Sequence, residues 1–192
     1  MTTFTLDTNC ILALENNEPA APAIRALVDA HEQRKANVAI VAISASERQR
    51  DRQQLQNFAQ FEERLSALGL GNLEILPTIF YWDIAFWDRC LWSDEAMEAL
   101  ERQIHEILVP AVPFLWSDYC KANGLDYSAA LPLNSAWGNH KCDVLALWSH
   151  IHDARDVFVT NDNDFHAMTK RAALITLGAG RIERPDAAVT LV

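Results

Sequence analysis

The sequence predicts an α/β domain with a central parallel sheet flanked by helices in three layers, and three observations predict it. Strand-like runs alternate with helical ones from the N-terminus to Leu76, the pattern of a doubly wound sheet. The run Asn37 to Ile43 (NVAIVAI) is almost continuously apolar and β-rich, which suits a strand buried on both faces. The alternation then returns after residue 138 with a helix and two further strand-like runs.

The elements follow in order. Phe4 and Leu6 alternate with threonines and read as a strand. That strand ends on Asp7, and Ile11, Leu12 and Leu14 continue as a helical turn. Ile24, Leu27 and Val28 recur at helical spacing after Pro22, with basic residues near the end of that helix. After the second strand, Ser44 and Glu47 have the S-x-x-E spacing of a capping box opening a helix. Phe58, Phe61, Leu65 and Leu68 line its later face, and Gly69 and Gly71 end it. Leu73 to Leu76 is a short strand. Late in the chain, Cys142 to His152 reads as a helix with Asp143 in its first turn. Asp156 to Thr160 reads as a strand, and Ala173 to Leu177 as a last one.

Residues 77–138 do not fit a short α/β connection. They hold Trp82, Trp87, Trp92, Trp116 and Trp137, and a clear helix from Asp94 to Val109 stopped by Pro110. The expectation is one domain over 1–192 carrying a Trp-rich helical insertion, with the tryptophans forming that insertion's own core.

The chain has 192 residues, half of them hydrophobic, enough for one substantial core. Its formal net charge is −10, from 26 acids against 16 lysines and arginines, which argues against a protein that coats polyanions by bulk charge. No run reaches membrane-spanning length, and no signal-peptide pattern opens the chain. Cys10, Cys90, Cys120 and Cys142 are scattered, as expected of a reduced cytoplasmic protein.

The acids carry the functional reading. Asp7 ends the first strand, Glu47 follows the second, and Asp162 and Asp164 follow a late one. In a parallel sheet the strand C-termini share an edge, so Asp7, Glu47 and Asp162 converge there. Asp143 follows the insertion, and pattern alone does not fix its place. Clustered carboxylates raise one another's pKa, a cost that a divalent cation relieves. Oxygen-only ligands suit Mg²⁺ or Mn²⁺, ions able to activate water in phosphodiester cleavage. Each acid also has a plainer reading: Asp7, or Thr8 beside it, as a helix N-cap, Glu47 as the partner in its capping box, Asp143 and Asp162 as helix or turn acids.

L-D-T-N at 6–9, Glu47, Asp143 and T-N-D-N-D-F at 160–165 together resemble the acidic set of PIN-domain nucleases, the family of the VapC-type toxin ribonucleases. The resemblance implies a PIN-like fold. It implies Asp7, Glu47, Asp143 and Asp162 as catalytic metal-binding acids for Mg²⁺ or Mn²⁺, with Asn9, Thr160 and Asp164 supporting them. It also implies an RNA substrate, with an antitoxin protein and a second copy of the chain as candidate partners. Arg48, Arg50 and Lys141 are the candidate RNA-binding cations, with Arg52, Lys170, Arg171, Arg181 and Arg184 as further flanking charges. His150 and His152 lack other ligands at zinc spacing and read as surface residues. A haloacid-dehalogenase-like phosphatase also starts from an Asp after its first strand, but needs a second acid where this chain has Asn9. A non-catalytic PIN-like module binding RNA or protein is the remaining alternative.

Overall fold

The computed structural model describes residues 1–47, 55, 57–128 and 135–192. The chain opens with β1 (Thr3–Leu6), α1 (Thr8–Glu15), α2 (Ala21–Glu32) and β2 (Asn37–Val41). It continues with α3 (Phe58–Ala67) and β3 (Glu74–Leu76). Then come β4 (Thr78–Ile79), β5 (Cys90–Leu91), α4 (Glu95–Leu108) and α5 (Trp116–Asn123). The last part holds α6 (Ala136–His152), β6 (Val157–Val159), α7 (Asn163–His166), α8 (Met168–Leu174), β7 (Arg181–Glu183) and α9 (Pro185–Val189).

Five strands form one parallel sheet in the order β3-β2-β1-β6-β7. Strand alternation divides its side chains between two cores. Phe4, Leu6, Val38, Ile40, Val157 and Val159 point into the layer built by α1, α2, α3 and α9. Ala39, Val41, Phe158 and Ile182 point into the layer of α4, α6 and α8. Each fully buried Leu, Ile or Phe contributes roughly 1.5–3 kcal/mol before conformational entropy is subtracted. The result is a central parallel sheet between helical layers, consistent with the PIN-like fold that the resemblance implies. Among the described residues no helix is long and apolar enough to cross a membrane.

Several local expectations are corrected. The run Ala173 to Leu177 is not a strand. α8 continues through a wide helical turn at Ile175–Ala179, and the last strand starts only after Gly180. Ile175 is solvent-exposed, so this apolar run lacks the two-sided burial a central strand needs. Gly180 has φ +59°, and a Cβ there would stand 2.4 Å from the Asp156 carbonyl oxygen, so only glycine admits the approach that starts β7. His150 is not at the surface. It is buried on the sheet, with Nδ1 2.8 Å from the Thr5 hydroxyl and Nε2 3.0 Å from the Ala179 carbonyl.

Residues 77–138 are not purely helical. β4 and β5 pair in parallel as a small ladder outside the main sheet, and α4 packs on α6 and α8 within the second core. The tryptophans also divide. Trp137 is buried and Trp116 packs on it at 5.5 Å between ring centres, whereas Trp82, Trp87 and Trp92 face solvent.

Candidate active site

The parallel register builds the site. β6, β1 and β2 lie side by side and run the same way, so the residues after them leave the sheet at one edge. Asp7 is the first residue beyond β1 and Thr160 the first beyond β6. Glu47 follows β2 by way of a 3₁₀ turn, Ala42–Ala45. α6 packs on that turn and carries Asp143. The helix begins at Ala136, so Asp143 is an interior residue and not a first-turn acid. An acid there gains nothing from the helix N-terminus.

Asp7 is buried and held by three donors. It accepts from the Thr8 N–H at 2.8 Å, from Asn9 Nδ2 at 2.6 Å and from the Thr160 hydroxyl at 2.7 Å. The first of these makes it the N-cap of α1, so the plainer reading of Asp7 holds alongside the functional one. Thr160 Oγ1 in turn accepts from Asn9 Nδ2 at 2.8 Å and from the Asp162 N–H at 3.0 Å. Asn9 Oδ1 accepts from the Asn161 N–H at 2.9 Å. The segments L-D-T-N and T-N-D are thereby laced together. Asn9 acts as a donor to Asp7, at the position where the phosphatase alternative requires an acid.

Ser44 and Glu47 do not form a capping box. Both side chains meet the Thr8 hydroxyl, Ser44 Oγ at 2.7 Å and the Glu47 carboxylate in a shorter contact. The S-x-x-E spacing that suggests a cap therefore ties the turn after β2 to the start of α1. Thr8, which the sequence offers only as an alternative N-cap, is a residue of the site that its pattern does not announce. Its only signal was its place between Asp7 and Asn9.

The electrostatics are those of crowded carboxylates. Burial, then the charge of Asp162, pushes Asp7 up to about 6 against its three hydrogen bonds. Burial and the Asp7 charge push Glu47 up to about 8, with Arg64 and Thr8 opposing. Asp143 rises well above the usual carboxylate range through burial and the charges of Glu47, Asp7, Asp162 and Asp164. Its side chain keeps 32% of its surface exposed, so one side of the cluster faces solvent. Asp162 caps α7 by accepting from the Asp164 N–H at 2.9 Å, and exposed Asp164 pairs with Lys170 at 2.8 Å.

The donor set is oxygen-only and mutually repelling, which fits a hard divalent cation. Among the described residues, no three His, Cys, Asp or Glu side chains are gathered tightly enough as they stand to ligate one ion.

The expected cations fare differently. Lys141 is not at the site. It is 1% exposed, pairs with Glu101 at 2.5 Å, and lies 4.1 Å from the Phe114 ring centre and 4.7 Å from that of Tyr81. One step along α6 from half-exposed His140 turns Lys141 inward, onto Glu101, Tyr81 and Phe114. Arg48 and Arg50, with Arg52, lie outside the described residues. Arg181 starts β7 beside Asp156, at the opposite sheet edge. Arg184 does reach the acid loop, donating to the Asn161 carbonyl at 3.0 Å and to Asn163 Oδ1 at 2.7 Å.

No family model matches the chain, and no curated protein matches it. Among solved structures, one similar chain comes from the crystal structure of VapBC2 from Rickettsia felis bound to a DNA fragment from their promoter. The likeness covers 95% of this chain and 98% of that one, at 14% identity and a TM-score of 0.44.

Proposed function

We propose that this chain is a metal-dependent endoribonuclease of the PIN type, hydrolysing RNA phosphodiester bonds at the acid cluster. What supports the reading is that Asp7, Glu47 and Asp162 are tied together through Thr8 and Thr160 at one sheet edge, with Asp143 close enough that the charges of the other three raise its pKa. A fold bears that cost where a cation relieves it. Asp7, Glu47, Asp143 and Asp162 would hold Mg²⁺ or Mn²⁺, which supplies Lewis-acid activation of water and charge stabilisation at the phosphate. Thr8, Asn9 and Thr160 orient the carboxylates, and Arg184 stands by the acid loop as a candidate contact for the RNA backbone. The finer role, the toxin of a toxin–antitoxin pair, rests on the motif resemblance alone.

The test compares substitutions at the two ends of the sheet. Asp143→Asn should remove most RNA cleavage and leave the fold intact. Asp156→Asn should not, because Asp156 binds Thr3 at the opposite edge, accepting from its N–H and its hydroxyl at 2.8 Å each. Wild-type turnover by Asp143→Asn would remove this acid from the mechanism.

A further inference from the structure

The segment 77–138 presents an aromatic surface that the proposed chemistry does not use. Trp82, Trp87 and Trp92 are 74%, 63% and 72% exposed. They cluster around Phe80, whose ring centre lies 5.0, 5.2 and 5.3 Å from theirs in that order. Trp87 and Trp92 also meet edge-to-face at 5.4 Å. The rings stand on an ordered frame. Thr78 pairs with Cys90 and Ile79 with Leu91 in the β4–β5 ladder, and the Phe80 N–H donates to the Leu91 carbonyl at 2.8 Å. The Ser46 hydroxyl binds the Ile84 carbonyl and fixes the loop between the first two tryptophans. Three large apolar side chains kept together in water on a braced frame are the mark of an interaction surface.

The local charge selects the partner. Between residues 80 and 98 the charged residues are Asp83, Asp88, Asp94, Glu95, Glu98 and a single cation, Arg89. Arg89 is paired with Glu62 at 2.5 Å. So acidic a stretch disfavours a phosphate backbone, and rings set edge-to-face or tilted to one another do not offer successive parallel faces for bases. The stretch also repels a second copy of itself, since a two-fold contact would set like charges together. Cationic side chains gain from both features, the tryptophan faces and the acidic stretch that carries them.

We propose that Phe80, Trp82, Trp87 and Trp92 dock a segment of a partner protein that carries arginines or lysines among apolar side chains. Tryptophan and arginine are both enriched among the few residues that carry most of the energy of protein interfaces. The proposal stands apart from the nuclease reading, because binding here needs neither metal nor turnover.

The test is a fluorescence titration of the full chain with a short synthetic peptide of alternating arginine and leucine. A second peptide carries glutamate for arginine, and a third probe is single-stranded polyuridylate. The arginine–leucine peptide should bind wild type best. Trp87→Ala should weaken it about tenfold, the loss of one interface anchor, and Asp88→Lys should also weaken it. These side chains are exposed, so the variants should melt as wild type does. The proposal is overturned if the arginine–leucine peptide does not bind or the glutamate peptide binds equally well. It is also overturned if polyuridylate binds through these tryptophans, or if they hold the chain as a dimer that Trp87→Ala dissociates in sedimentation.

Discussion

The Thr160 hydroxyl donates to the Asp7 carboxylate at 2.7 Å, joining the residue after β6 to the residue after β1. The same oxygen accepts the Asp162 N–H, so one side chain positions two of the four acids. Thr160→Val keeps the shape and removes both of these bonds together with the one from Asn9 Nδ2. Loss of a partner that orients a metal ligand typically costs tenfold to about a hundredfold in metal affinity or activity. The expected outcome is a higher Mg²⁺ concentration for half-maximal cleavage, read from a metal titration of the RNA cleavage rate.

Asp7→Asn separates a metal site from a helix cap. Burial keeps the Asp7 pKa raised although three donors stabilise its charge, so the ionised form is a net cost at neutral pH. Without metal, Asp7→Asn should therefore melt at the same or a higher temperature than wild type. Excess Mg²⁺ should stabilise wild type by roughly 2.7 kcal/mol at a hundredfold excess over the dissociation constant, and the variant much less. Paired melting curves with and without Mg²⁺ check this. A less stable variant with an equal response to Mg²⁺ would show that the acids do not act together.

Lys141 and Glu101 form a buried pair against Phe114 and Tyr81. Lys141→Met strands a buried carboxylate and should lower unfolding free energy by about 3–5 kcal/mol. Adding Glu101→Leu should restore most of that loss. Denaturant unfolding of the single and double variants measures it.

His150 makes stability depend on pH. Burial, outweighing its bond to Ala179, lowers its pKa from 6.5 to about 4. A folded pKa below the unfolded one means the unfolded chain binds the proton first. The stability contribution is complete above pH 6.5, declines as pH falls toward 4, and reaches its floor below that. Asp7 acts oppositely: its raised pKa adds stability as pH falls through about 6. His150→Gln should therefore show a flatter or reversed pH dependence between 6.5 and 4, measured by chemical unfolding across that range.

Much of this was legible in the sequence, and what was not has physical causes. Apolar alternation marked β1 and a nearly continuous apolar run marked β2, and the parallel arrangement followed from the strand–helix order. Asp7 and Asp162 could be placed together because each follows a strand of one sheet. Asp143 could not, because a long helix interior brings it in, and its distance from a strand end carries no signal. Lys141 was misread because a charge two residues from an acid looks exposed, while its burial depends on Glu101, forty positions away. His150 hid for the same reason, its partners Thr5 and Ala179 being distant in sequence. The exposed tryptophans escaped a composition argument, since aromatic content says nothing about which rings find a core.

The central claim is that the four acids work through a divalent cation on RNA. The most direct measurement is the cleavage rate of single-stranded RNA by purified wild-type chain and Asp7→Asn. Both are assayed with Mg²⁺ or Mn²⁺ and again in excess EDTA. Wild type should turn over with metal and show nothing above background in EDTA, and Asp7→Asn should show little under either condition. Undiminished cleavage by wild type in EDTA, or equal cleavage by Asp7→Asn with metal, would contradict that claim.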